Sequence, residues 1–130
     1  MSRRRVLRIG IRSYEDSKGD LRAFAQGARR PENDPRVWVS SAASMAQLLS
    51  NDNLRLLDLI KSTEPPSVTA LARAAGREVS NVSRTLSTMA SYGLVELIEG
   101  EGRQKTPRVK FDRLEIVYRP RVRQRQTAIA

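Results

Sequence analysis

Residues 67–95, SVTALARAAGREVSNVSRTLSTMASYGLV, decide how this chain is read. Ser67 is an expected N-cap, and Val68, Leu71, Ala72 and Ala75 follow at helical spacing until Gly76, where a helix must stop and the chain turn. After a short linker Ser80 is the expected cap of a second helix, Ser80–Tyr92, with an apolar stripe of Val82, Leu86, Met89 and Ala90. Its other face carries Asn81, Arg84, Thr85 and Thr88. A helix that buries one side and offers Asn, Arg and Thr on the other can enter a DNA major groove. Tyr92-Gly93-Leu94-Val95 then ends that helix and starts a strand. The pattern is a helix-turn-helix leading into a β-wing.

Two amphipathic helices joined by a Gly turn also occur in ordinary helical bundles, where the polar face is simply solvated. Two features favour the DNA-facing reading. From Ser80 to Ser91 there is one basic residue, no acidic one and many small hydroxyls. Charge is also unevenly placed. The 130-residue chain has 24 Lys and Arg against 14 Asp and Glu, a net charge of +10, and most of the basic residues are Arg. Residues 1–12 hold five Arg and no acid, residues 100–130 hold nine basic and three acidic residues, and the middle is near neutral. Positive charge at both ends and on the wing suits a polyanion, and a guanidinium can grip phosphate or guanine with two parallel hydrogen bonds. An anionic membrane surface would also attract a basic end, but no strongly apolar, Lys/Arg-flanked amphipathic helix accompanies it.

The residue inventory argues against other classes. With no Cys there is no disulfide, thiol nucleophile or Cys-based zinc site, and with no His the usual general base and metal ligand are missing. The carboxylates are scattered beside Arg or Lys, and no acid/base pair stands out. No apolar run approaches the roughly 18 residues of a membrane span. The N-terminal Arg residues lack the long apolar core of a secretory signal. A cytoplasmic, non-catalytic protein without metal or cofactor is expected.

Outward from the helix-turn-helix, the expected architecture is α+β: a winged helix-turn-helix with an N-terminal strand-helix-strand extension. In that extension, residues 1–40, Arg5–Arg12 alternates as a short strand. Ser13–Ala28 reads as a helix capped by Ser13, with Asp16 at the third helical position and a stripe of Leu21, Phe24, Ala25 and Ala28. Gly19 and Gly27 weaken that helix, so it should depend on packing against something else. Arg36–Ser40 is a second strand, whose Trp38 suits core or interface packing, with base stacking as the alternative. Residues 41–118 form the winged helix. Ser44–Ser50 is a short helix, and a longer one from Asn51 or Asp52 carries Leu54, Leu56, Leu57, Leu59 and Ile60 and stops before Glu64-Pro65-Pro66. Leu94–Ile98 and Pro107–Phe111 are the wing strands, with Arg103–Thr106 at the tip. Leu114–Tyr118 is a further strand that either extends the wing sheet or pairs with the N-terminal strands. Residues 119–130 read as a mobile basic tail that adds DNA affinity, folds onto an acidic partner, or is merely solvated.

The segment from Asn51 to Phe111 resembles the MarR-type winged helix-turn-helix, above all in SNVSRTLSTMASYGLVELIEG, where a Ser-x-Val-Ser-Arg-x-Leu helix leads into Gly-Leu-Val and the wing. The whole chain also resembles a group of small prokaryotic transcriptional regulators. These open with a basic strand and a Ser-Tyr-Glu-Asp helix, here Ser13-Tyr14-Glu15-Asp16, and continue through a Pro-x-Val-Trp strand, here Pro35-Arg36-Val37-Trp38. Members of that group are often encoded beside a small toxin, so the resemblance implies an antitoxin. The Arg-rich tail is a departure from that pattern.

By that resemblance Ser80–Tyr92 is the recognition helix. Asn81, Arg84 and Thr85 are the expected base-edge contacts, since Asn pairs bidentately with adenine and Arg with guanine. Ser80, Ser83, Ser87 and Thr69 are expected at phosphates, Thr88 shares the polar face, and Arg103, Lys105 and Arg108 reach phosphates or the adjacent minor groove from the wing. Arg84 has an alternative: pairing with Glu78 or Asp52 to hold the fold. One winged helix reads only a short half-site, so a homodimer on double-stranded DNA is expected, with residues 1–40 supplying much of the interface. Two function classes follow: a dimeric regulator of its own operon, and an antitoxin that neutralises a toxin protein directly, with DNA binding secondary.

Overall fold

The computed structural model describes residues 5–100, 102 and 104–122 of the chain. Its elements run β1 (Val6–Ile11), α1 (Tyr14–Ala25), β2 (Val37–Val39), α2 (Ala42–Leu48), α3 (Asn51–Thr63), α4 (Val68–Ala75), α5 (Val79–Ser91), β3 (Glu96–Glu99), β4 (Lys105–Arg108) and β5 (Arg113–Tyr118). This is the α+β winged helix-turn-helix expected from the sequence.

Hydroxyl side chains start four of the helices. Ser13, Ser41, Ser50 and Ser67 each accept a hydrogen bond from the backbone N–H three residues on, satisfying a donor that the first helical turn leaves free. Glycine ends the two helices of the motif. Gly76 and Gly93 hold positive φ, +67° and +79°, and the amides that follow turn back: Arg77 donates to the Ala72 carbonyl and Leu94 to that of Met89, both at 3.0 Å. The prolines after Glu64 close α3, with Glu64 in the left-handed region.

Several boundaries differ from the sequence reading, among them the first wing strand, which runs Glu96–Glu99 rather than Leu94–Ile98 because Leu94 and Val95 are taken up in the turn and the core after α5. Helix α5 begins at Val79, with Glu78 at a cap position that makes no side-chain bond, so Ser80 lies inside the first turn and caps nothing. Helix α2 starts two residues earlier than expected, because Ser41 rather than a later residue caps it. The second wing strand begins at Lys105, which pairs with Glu99, so Lys105 and Thr106 belong to the strand rather than the tip. Helix α1 ends at Ala25 and buries nothing: Leu21, expected in its apolar stripe, is 71% exposed.

Strand β5 joins β1, not the wing. The sheet order is β2-β1-β5, all parallel, with Leu7 beside Leu114 and Ile9 beside Ile116 on one flank and beside Val37 on the other. Alternation puts Leu7, Ile9, Val37, Val39 and Leu114 on one face, which packs against the helices. Ile9 and Val39 are fully part of one core with Met45, Leu48, Leu56, Ile60, Leu71, Val82, Leu86, Met89 and Leu94. The N-terminal extension and the winged helix therefore share a single core, with the last strand of the 41–118 segment lodged in the extension's sheet.

The sheet's other face is built around Trp38. It lies on Gly10, where an added Cβ would fall 2.3 Å from the indole, and Arg12 stacks over it at 4.0 Å from the ring centroid. Packing, rather than base stacking, occupies this Trp. Arg119 approaches the ring at 5.4 Å and sits 2.7 Å from the Asp34 carboxylate, an ion-pair contact to a side chain only 2% exposed. Arg121 donates to both Asp20 oxygens at 2.7 and 2.8 Å. The first arginines of the expected mobile tail thus tie the chain to α1 and its following loop. Residues 123–130 of that tail lie outside the described residues.

Candidate nucleic-acid interface

Helix α5 turns about 100° per residue, which sorts its side chains. Val82, Leu86 and Met89 point into the core and are fully buried. Ser80, Arg84, Ser87 and Ser91 lie directly opposite and are exposed, with Ser83 on one flank and Asn81 and Thr88 on the other. Thr85 is half-buried at the edge of the core stripe. The face has no acidic residue along its length.

The guanidinium of Arg84 makes no ion pair with Glu78 or Asp52, nor with any other of the described residues. Asn81 is held from behind: Arg77, at the end of the turn, donates to its Oδ1. That bond occupies the amide oxygen of an exposed side chain and leaves its two N–H donors without a hydrogen-bond partner among the described residues. Thr88 Oγ1 is turned back onto the Arg84 carbonyl at 3.3 Å, the usual local bond of a helical Thr.

The wing closes against this helix. Between the N-terminal end of α4, the flank of α5 and strand β4 lies a groove of about 300 Å³. Its rim carries Thr69, Ser83, Ser87, Gln104 and Lys105 over a floor of Leu86 and Leu97. Four expected contact residues from three separate elements therefore meet in one place: Thr69, Ser83, Ser87 and Lys105. Gln104 is a polar rim residue that the sequence reading left out; its only signal was its place beside Lys105 in the wing. On the other flank of α5, Thr85 and Thr88 line a second hollow of about 270 Å³ with Ser44, Gln47 and Asn53, all uncharged. Ser44 and Gln47 of α2 were also left out, because nothing local in a short helix says that it reaches the side of α5.

Arg108 has a different task. Its Nη1 donates to the Pro65 carbonyl at 2.8 Å and to the Pro107 carbonyl at 2.7 Å, with Glu64 nearby at 3.6 Å. Thr106 donates to the Pro66 carbonyl at 2.9 Å. Together they fasten β4 to the Pro-Pro segment just before α4, which sets the wing's place beside the helix-turn-helix. Arg108 anchors the wing and Lys105 is exposed on it. Opposite them in register stand Glu96 and Glu99, so the cationic character of the wing strands themselves is partly offset. Arg103 of the expected contact set lies outside the described residues.

This arrangement, a helix-turn-helix followed by a two-stranded wing, defines a winged helix-turn-helix protein. The chain belongs to the HVO_A0114 family, whose sequence profile matches residues 48–116, from the end of α2 into β5. Among solved structures it is similar to a crystal structure described as that of a predicted DNA-binding transcriptional regulator from E. coli. That likeness has 20% identity and a TM-score of 0.45, and covers 72% of this chain and 84% of the other. No curated protein matches the chain. Among the described residues no helix is long and apolar enough to cross a membrane.

Proposed function

We propose that this protein is a sequence-specific DNA-binding transcriptional regulator that acts as a homodimer in the cytoplasm and controls its own operon. The observation that carries the reading is the meeting of Thr69, Ser83, Ser87 and Lys105 in one groove beside an acid-free α5 face whose Arg84 has no ion-pair partner among the described residues. Hydroxyls and a lysine around a groove suit phosphate oxygens, and Arg84 with the donor side of Asn81 suits base edges. Ser80, released from capping, joins the phosphate set, and Thr85 and Thr88 flank it. In this reading residues 41–118 bear the DNA surface, residues 1–40 serve self-association with β5 lodged in their sheet, and the basic residues of 119–130 add charge. Catalysis has no part in it.

The finer role is that of an antitoxin. It is supported by the resemblance of Ser13–Asp16 and Pro35–Trp38 to regulators encoded beside a toxin, and both motifs sit in the extension whose helix α1 buries no residue. Copurification of a small toxin encoded next to the gene supports that role, and its absence removes it. The regulator reading is tested by gel retardation with a fragment from the gene's own upstream region. Retardation at lower protein concentration than a random fragment of equal length is expected. Equal binding of both, or none at low salt, overturns it.

A further inference from the structure

We infer that β5 is the seam of the homodimer: the free edges of two β5 strands pair antiparallel about a two-fold axis at Val117, joining two three-stranded sheets into one of six. The inference deepens the homodimer reading and rests on it. Strand β5 has six residues and bonds to β1 on one side; among the described residues nothing pairs with its other side. The Arg113 N–H donates to the Arg5 carbonyl, so in the alternation that follows, the backbone groups of Leu114, Ile116 and Tyr118 turn toward the free edge. Their side chains lie on the sheet face that elsewhere buries Ile9 and Val39, yet Ile116 is 52% and Tyr118 65% exposed. An edge strand with bare amides and large apolar side chains is a template for another strand, and Leu114–Tyr118 carries neither the Lys nor the Pro that blunts such edges.

Charge and apolar pairing together select the partner and the register. Two copies of one strand paired about an axis normal to the sheet must match residues that point to the same face. Centred on Val117, the pairing sets Ile116 against Tyr118 of the second copy, twice, and places Glu115, which already holds Arg8 at 2.9 Å and Arg113 at 3.3 Å, opposite Arg119 of the second copy, which already holds Asp34 at 2.7 Å, so that unlike charges stand opposite each other twice. Centred on Ile116 it would oppose Arg113 to Arg119, centred on Glu115 it would oppose that carboxylate to itself, and centred on Leu114 or Tyr118 it would set the apolar Ile116 against Asp112 or Pro120. Like charges directly opposite destabilise a sheet. The sequence from Glu115 to Arg119 is thus complementary to itself, which favours a second copy over an unrelated strand. Pro120 has no N–H and ends the ladder opposite Leu114. The two-fold axis would also relate the two winged helices, as a palindromic operator requires.

The absence of Cys makes the test clean. Val117 would face itself as a non-hydrogen-bonded pair, with Cα atoms about 4.5 Å apart, within reach of a disulfide. Full-length Val117→Cys under mild oxidation should convert to a covalent dimer on a non-reducing gel, while Ile98→Cys on the wing should stay monomeric. By light scattering, Ile116→Lys should halve the particle mass at micromolar concentration with an unchanged circular dichroism spectrum; if that variant unfolds, the Val117→Cys result decides. A wild-type chain that is monomeric at micromolar concentration overturns the homodimer reading and the seam together. A wild-type dimer in which Val117→Cys fails to cross-link overturns the seam and leaves the homodimer standing.

Discussion

Arg84 and Arg108 carry the same guanidinium into opposite circumstances, and the difference can be measured. Arg84 stands on the exposed face of α5 with no ion-pair partner among the described residues, whereas Arg108 is half-buried with Nη1 on two carbonyls. Arg84→Ala should therefore leave the melting temperature unchanged and weaken operator binding by about 1–3 kcal/mol, with less effect on random DNA. Arg108→Ala should do the reverse, because charged hydrogen bonds of this kind contribute about 1.5–3 kcal/mol to folding. Thermal melts and anisotropy titrations of the two variants check both halves; the same loss of operator binding in each, at equal stability, contradicts the assignment. Sequence alone could list Arg108 among the wing cations but could not see this. Its direction depends on the β3–β4 register and on the Pro65 carbonyl, 43 positions away. Asn81 is the converse case: its place on the polar face was legible from helical spacing, while the Arg77 bond to its amide oxygen was not.

At the scale of elements, local signals read true where the chain's own chemistry sets them. Ser67, Gly76 and Gly93 mark helix ends through a side-chain oxygen or a positive φ, and both act within a few residues. The partner of β5 was beyond such signals, since a β-branched strand fits either sheet and only the core around Ile9 decides. The same holds for Arg119 and Arg121, which look like solvated charge until Asp34 and Asp20 are placed beside them. Asp34 is nearly inaccessible, so Arg119→Ala would strand a buried carboxylate, a change that costs about 3–5 kcal/mol. Chemical denaturation should show that variant far less stable than Arg22→Ala, an exposed arginine of α1 that makes no ion pair with a described residue; equal stability would return residue 119 to the solvated tail.

Asp20 adds a pH signature to the same region. Hydrogen bonds from Arg121, opposed by burial and aided by Arg12, lower its pKa from 3.8 to about 2. A carboxyl with a depressed folded-state pKa contributes stability that is complete above its unfolded value and is lost as pH falls toward the folded one. Wild type should therefore exceed Asp20→Asn in stability at pH 5, and the gap should close between about pH 4 and pH 2. Urea midpoints measured across that range check it, and a gap that persists at pH 2 contradicts the ion-pair account.

For the whole molecule, the charge asymmetry visible in the sequence and the groove between α5 and the wing support the proposed reading, in which a polyanion lies along α5 with the wing beside it. Each lysine or arginine on a phosphate releases condensed counterions, so the salt dependence of binding counts such contacts. Lys105 is the exposed cation on the groove's rim, and its loss leaves the wing's anchorage through Thr106 and Arg108 intact. The most direct test is the affinity for the gene's own upstream fragment at several salt concentrations, for wild type and Lys105→Ala. A steep wild-type slope that flattens by about one unit in the variant is expected. A wild-type affinity indifferent to salt, or a slope that Lys105→Ala leaves unchanged, would contradict the placement of DNA across α5 and the wing.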